Sequence, residues 1–363
     1  ETHKALNICP GLWDFKSQPN TVQIPNFLPA GNVSRPSIVS LMSGVYDAGL
    51  ELNEREQFWN GAFPTSFAYQ MKQLGYQTIY WYGGNASYGN FNHFGKAQGF
   101  DRVESASIFC GPDAPKTWVG VYDHIFLENM EQQIKALDTP TFHFIYTTSN
   151  HSPYKIEDSL LDYDPATVMP HVGEDLRSNK TRNKELATYR YSDKALFSFV
   201  DSMKKAYPDS LFIITGDHSN LFGSLNNTSL IHRDYTLRDT FCTVALLQHP
   251  DLDSNVIATQ KGTHMSLMPT IIEAIAPKGF EYYSITPSLF DDQPETLVTP
   301  YQWITDSLMG DIRSDYGESN QPSAEPVTQI RPIDNHAKEA RDWSLLTTWL
   351  INHEEKLFSK KDD

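Results

Sequence analysis

Short apolar runs alternating with amphipathic segments predict an α/β protein, with a mainly parallel central sheet sandwiched by helices and a C-terminal helical extension. Three observations carry this expectation. Four β-rich runs stand out: QTIYWYGG (77–84), TFHFIYTT (141–148), SLFIITGD (210–217) and CTVALLQH (242–249). Helical patterns lie between and after them at 65–75, 125–137, 189–207 and 264–276. Hydrophobic content of 39% with 12% aromatics is ample for a buried core and excludes global disorder.

Each element has its own signal. In 189–207, Leu196, Phe199, Val200 and Met203 fall at i, i+3, i+4 and i+7, so one face should pack on the sheet. In AGNVSRPSIVSLMSGVY (30–46), Ser34 suits the N-cap and Pro36 the first turn of a short apolar helix. Residues 152–188 are charged and weakly periodic, as expected of a rim or lid loop. The expected organisation is a catalytic domain over 1–310, an extended linker over 311–335 and a C-terminal helix over 336–363 that docks on the domain. The polar opening ETHKALN suggests a fragment of a longer chain whose first strand lies upstream.

Bulk properties narrow the function. A formal charge of −16 argues against nucleic acid or an anionic membrane as a partner held by general electrostatics. A phosphorylated substrate stays open, because a metal and a few local basic groups can set the field at one site. No apolar run approaches the roughly 18 residues needed to cross a bilayer. Cys9, Cys110 and Cys242 lack any CxxC spacing, so they form neither a zinc cluster nor a disulfide framework; one disulfide plus one buried thiol stays open.

The chemistry concentrates at segment ends. SLFIITGDHSN delivers Asp217 and His218 at the carboxyl end of a strand expected to be parallel, where open α/β sheets place their ligands. A carboxylate beside an imidazole can hold a divalent metal. A serine ahead of an apolar helix is ordinarily just a cap. A hydroxyl at a helix N-terminus also sits where free N–H groups and the dipole attract phosphate. His151 in YTTSNHSPY and His264 in KGTHMSLMPT stand at strand and helix ends.

In order along the chain, GNVSRPSIVSLMSGVY, LGYQTIYWYGGNASYGNFNHFGKAQGFD, TFHFIYTTSNHSPY, YRYSDKALFSFV…LFIITGDHSN and GTHMSLMPTIIEAI resemble the alkaline-phosphatase superfamily. The resemblance is to its sulfatase-like branch of lipoteichoic acid synthases and phosphoethanolamine transferases. It implies that Asp217 and His218 are metal ligands, with Ser34 as both ligand and nucleophile. Glu1 in ETHK matches the acidic ligand that the family places at the end of its first strand. The implied cofactor is one divalent ion, Mn2+ or Zn2+, with Mg2+ also open. His151 and His264 match residues that steady phosphate oxygens or act as general acid and base, and Arg35, Asn90, His151 and Tyr154 are the implied substrate contacts.

Two departures sharpen the resemblance. Sulfatases need Cys or Ser followed by x-P-x-R for conversion to formylglycine, whereas this chain has Ser34-Arg35-Pro36-Ser37-Ile38. An unmodified serine and phosphate chemistry follow. Lipoteichoic acid synthases carry Trp-Asn-Arg at the glycerol phosphate pocket, where Gly89-Asn90-Phe91 keeps only the asparagine. The implied activity is transfer of a phosphoglycerol or phosphoethanolamine head group from a phospholipid donor, through Ser34, to an envelope glycan or lipid acceptor. A phosphodiesterase or phosphatase of the same fold is the alternative, and a non-catalytic lipid- or partner-binding relative a second. The implied location is the periplasmic or extracellular face of a bacterial membrane, with membrane contact through segments outside this chain.

Overall fold

The computed structural model describes residues 7–164, 180–219, 236–253, 255–257, 259–313, 317–320 and 336–353. Twelve strands are found among them: β1 Thr21–Gln23, β2 Asn26–Leu28, β3 Gln77–Tyr82, β4 Arg102–Ser105, β5 Thr141–Tyr146, β6 Phe212–Thr215, β7 Ala245–Gln248, β8 Lys261–Thr263, β9 Leu297–Val298, β10 Gln302–Ile304, β11 Leu308–Asp311 and β12 Glu318–Ser319. The α-helices are α1 Pro10–Lys16, α2 Ser34–Ser43, α3 Phe67–Gln73, α4 Phe91–Ala97, α5 Ala106–Phe109, α6 Asp123–Ile134, α7 Lys180–Ala206, α8 Leu237–Phe241, α9 His264–Ile275 and α10 His336–Asn352.

Strand β3 is the hub. It pairs in parallel with β4 on one side and β5 on the other, and β2 pairs in parallel with β8. Its side chains alternate between two cores, as a strand covered on both faces requires. Ile79 and Trp81 join Phe126, Met130, Val200 and Met203 from α6 and α7. Tyr80 and Tyr82 join Ile38 and Val39 of α2 and Phe94 of α4. Leu196, Phe199, Val200 and Met203 all face the first core, as their spacing predicts. Helices therefore cover both faces of the sheet.

The ends of the chain differ from expectation in detail. Strands β6 and β7 pair with each other antiparallel (Phe212 opposite Gln248), and β1 adds to β7. The ladder that delivers Asp217 is therefore antiparallel, contrary to the parallel strand expected there. Helix α7 begins at Lys180, so the end of the expected lid over 152–188 is helical, while 165–179 lies outside the described residues. The expected linker opens with the end of β11 and continues into β12, in an antiparallel sheet ordered β12-β11-β10-β9. Turn hydrogen bonds, such as Thr305 N–H to Leu308 O at 2.8 Å, make these short strands a meander that composition alone reads as linker. Ile351 of helix α10 is buried in the core that holds Ile38 and Phe58. Cys9, Cys110 and Cys242 are free thiols.

Candidate active site

Helix α2 presents the serine. Val33 is the extended N-cap (φ −143°, ψ 165°), so Ser34 is the first helical residue and not the cap expected from sequence. The hydroxyl is thereby released from capping and keeps its place at the helix end. The helix stops at Gly44, whose φ of +69° favours glycine; a Cβ there would lie 2.1 Å from the Thr65 carbonyl oxygen.

Asp217 and His218 follow β6 and meet Ser34 there. Ser34 Oγ lies 3.3 Å from His218 Nε2, and Asp217 Oδ2 lies 3.7 Å from the same nitrogen. His218 Nδ1 is 2.6 Å from the Ser219 carbonyl, so Nδ1 carries the proton and the Nε2 lone pair faces Ser34 and Asp217. Tyr146, the last residue of β5, shares hydrogen bonds with Ser34 and Asp217. Burial, then the Asp217 carboxylate, push its phenol well above the ordinary range, and the Ser34 hydrogen bond offsets part of this.

These donors suit a divalent ion. An imidazole whose other nitrogen is held by a carbonyl, a carboxylate and a hydroxyl form a mixed N/O set of the kind that Zn2+ and Mn2+ accept. Among the described residues no three His, Cys, Asp or Glu side chains converge into a metal-binding group. Glu1, the acidic ligand expected from the resemblance, lies outside the described residues.

His264 is placed differently from expectation. Its Nδ1 accepts the Ala30 N–H at 3.1 Å, and its Nε2 lies 3.0 Å from the Gly216 carbonyl and 3.2 Å from Thr215 Oγ1. The ring is 1% exposed, and burial lowers its pKa to about 4. Both nitrogens face protein partners, which leaves neither directed at a substrate phosphate.

Arg35 and Asn90 are brought together through a residue the sequence reading missed. Arg35 pairs with Glu54 at 3.3 Å, and the other Glu54 oxygen accepts from the Asn90 side-chain amide. The Arg35 guanidinium also donates to the Tyr88 hydroxyl at 3.3 Å and lies over its ring. Since Arg35 follows Ser34 directly, this cluster borders the Ser34 hydroxyl. Tyr82, at the end of β3, stacks on Tyr146 with ring centroids 5.3 Å apart. Tyr82 and Tyr146 both end strands at the edge where such sheets bind ligands, and neither stood out in the sequence.

His151 lies past β5 on an exposed loop. Its Nδ1 is 2.6 Å from the Ser152 carbonyl, and its ring meets exposed Trp118 edge-on at 5.2 Å. Tyr154 is turned by a positive φ of 54°, and its hydroxyl donates to Glu185 of α7. That contact places Tyr154 against α7. Buried Asp123 anchors the loop: Oδ1 accepts the N–H groups of Thr148 and Ser149 at 3.0 and 3.1 Å, and Oδ2 the Ser192 hydroxyl at 3.3 Å.

With this geometry in view, known proteins bear on the fold. The sulfatase family model matches residues 14–276. Lipoteichoic acid synthase 1 of Bacillus subtilis is 23% identical over 255 residues, which cover 66% of this chain and 38% of that protein. The lipoteichoic acid synthase-like YvgJ of the same organism is 27% identical over 152 residues, 41% of this chain and 23% of that protein. The chain thus spans well under half the length of these relatives. The crystal structure of the lipoteichoic acid synthase LtaP from Listeria monocytogenes superposes with a TM-score of 0.74 at 16% identity, covering 95% of this chain and 86% of that one. The zinc complex of the C-terminal periplasmic domain of EptC from Escherichia coli superposes with a TM-score of 0.58 at 16% identity, covering 82% and 85%. Among the described residues no helix is long and apolar enough to cross a membrane. The chain belongs to the sulfatase family and has its alkaline-phosphatase-like fold.

Proposed function

We propose that the protein is a metal-dependent phosphotransferase that moves a phospholipid head group, phosphoglycerol or phosphoethanolamine, to an envelope glycan or lipid acceptor. One observation carries the reading: a serine hydroxyl at a helix N-terminus, 3.3 Å from His218 Nε2 and beside Asp217. Ile38 stands where formylglycine formation would need arginine, which favours phosphate over sulfate. Ser34, Asp217 and His218 would hold a divalent ion, Mn2+ or Zn2+, which when bound lowers the pKa of a hydroxyl and offsets charge on phosphate.

The residues of this chain supply the rest. Ser34 Oγ bonds to phosphorus as the bond from phosphorus to the glycerol oxygen of diacylglycerol breaks. The serine proton leaves to solvent, and the departing oxygen takes one up. An acceptor hydroxyl then attacks the same phosphorus and releases Ser34. With Nδ1–H bonded to the Ser152 carbonyl, His151 has Nε2 available to take that hydroxyl's proton. Free N–H groups in the first turn of α2 favour the phosphate oxygens, and Arg35 with Asn90 borders the head group.

The reading also includes placement on the periplasmic or extracellular face of a bacterial membrane, with membrane contact through segments outside this chain. It is tested by release of diacylglycerol from phosphatidylglycerol or phosphatidylethanolamine vesicles. Wild type loaded with Mn2+ or Zn2+ should turn over; Ser34→Ala and the chelated protein should both fall by at least about 10³-fold. Undiminished release by Ser34→Ala would remove the proposal.

A further inference from the structure

We infer that His264 is the positioning residue that holds the nucleophile segment in register with the Asp217–His218 pair. The inference rests on the Ser34 reading above. The two halves of the site come from different parts of the fold. Ser34 follows β2 through residues 29–33, and β2 pairs with β8. Asp217 and His218 follow β6, which pairs with β7. These units are joined ahead of the site, where β1 pairs with β7, Ile24 N–H reaches the Ala245 carbonyl and Thr243 N–H the Phe27 carbonyl, all before the chain reaches Ala30.

Beyond those strands, at the level of the site itself, the imidazole adds two directed bonds. Ala30, whose N–H is accepted by Nδ1, is four residues before Ser34. Gly216, whose carbonyl faces Nε2 at 3.0 Å, immediately precedes Asp217. Acceptance at Nδ1 requires that nitrogen to be bare, so Nε2 carries the proton and donates it to Gly216. Thr263 caps α9 through its side chain, which fixes where His264 begins the helix. The ring packs against Phe27 of β2, with centroids 5.6 Å apart, and Gly216 approaches Thr243 so closely that a Cβ there would lie 2.3 Å from Thr243 Oγ1. A side chain engaged at both nitrogens sets distance; it does not carry protons to a substrate.

The test compares His264→Gln, which keeps one acceptor and one donor, with His264→Leu, which keeps neither. Displacement of a nucleophile by about 1 Å costs on the order of 100-fold in rate. His264→Leu should therefore lose about 100-fold in kcat with KM for the phospholipid little changed, and His264→Gln should stay within about 10-fold of wild type. The kcat–pH profile of His264→Gln should keep the wild-type shape. Loss of one limb in folded His264→Gln, activity as low as that of His264→Leu, or a wild-type rate in His264→Leu would each overturn the assignment. Nitrogen NMR of the metal-free wild type provides an arm that needs neither variant nor turnover. His264 should be the Nε2–H tautomer with a bare Nδ1, and the opposite tautomer would overturn the inference. Activity retained by Ser34→Ala would instead strike the nucleophile reading, leaving the tautomer measurement to decide this one.

Discussion

His143 lies on β5 with Nδ1 accepting the Trp81 indole N–H at 3.0 Å. Burial, followed by the nearby Arg102 charge, lowers its pKa to about 4. In an unfolded chain a histidine titrates near 6.5. Between those values the unfolded state binds a proton that the folded state refuses, so stability falls as pH drops from about 6.5 towards 4 and levels off below. At pH 5.5 the unfolded imidazole is about ten to one protonated, which costs the fold about 1 kcal/mol relative to pH 7.5. His143→Gln can keep an acceptor for Trp81 and cannot titrate. Urea unfolding of wild type and variant at pH 7.5 and 5.5 isolates the effect from any general destabilisation. The loss on acidification should be smaller in the variant by about 1 kcal/mol. Equal losses in the two proteins would show that His143 is not held neutral, and would refute the reasoning.

Three further perturbations probe the scaffold of the site. Asp123→Asn removes one carboxylate oxygen from the hub that fixes Thr148 and Ser149, so kcat should fall about 10- to 100-fold through the His151 loop, measured by steady-state kinetics. Gly44→Ala places a Cβ against the Thr65 carbonyl at positive φ and should cost at least about 2 kcal/mol, seen as a Tm lowered by several degrees. Arg35→Ala removes a cation beside Ser34 and, on the proposed function, should raise KM about tenfold with kcat within about threefold, as expected of a guanidinium that borders the head group without entering the bond changes.

The central elements were legible because their signals are local. The runs at 77–84 and 141–148 became β3 and β5, and the apolar stripe of 189–207 faces the core that holds Trp81. The Asp-His pair and Ser34 were legible for the same reason, each standing at the end of an element. What escaped was set by contacts across the chain. Tyr146 looks like any strand aromatic until Ser34 and Asp217 close on its hydroxyl. Glu54 lies in an irregular stretch and gains meaning only by joining Arg35 to Asn90. His264 resembles a catalytic histidine in sequence, yet the fold gives both its nitrogens to protein partners, Ala30 on one side and Gly216 and Thr215 on the other. The antiparallel pairing of β6 with β7 was hidden because each run, short and apolar, fits either direction.

The most direct measurement is intact mass spectrometry of the metal-loaded protein after brief incubation with phosphatidylglycerol or phosphatidylethanolamine vesicles in the absence of acceptor. The account predicts a covalent head-group phosphoryl adduct that maps by peptide fragmentation to Ser34 and is absent from Ser34→Ala. Diacylglycerol released without any adduct, or an adduct on another residue, would contradict it.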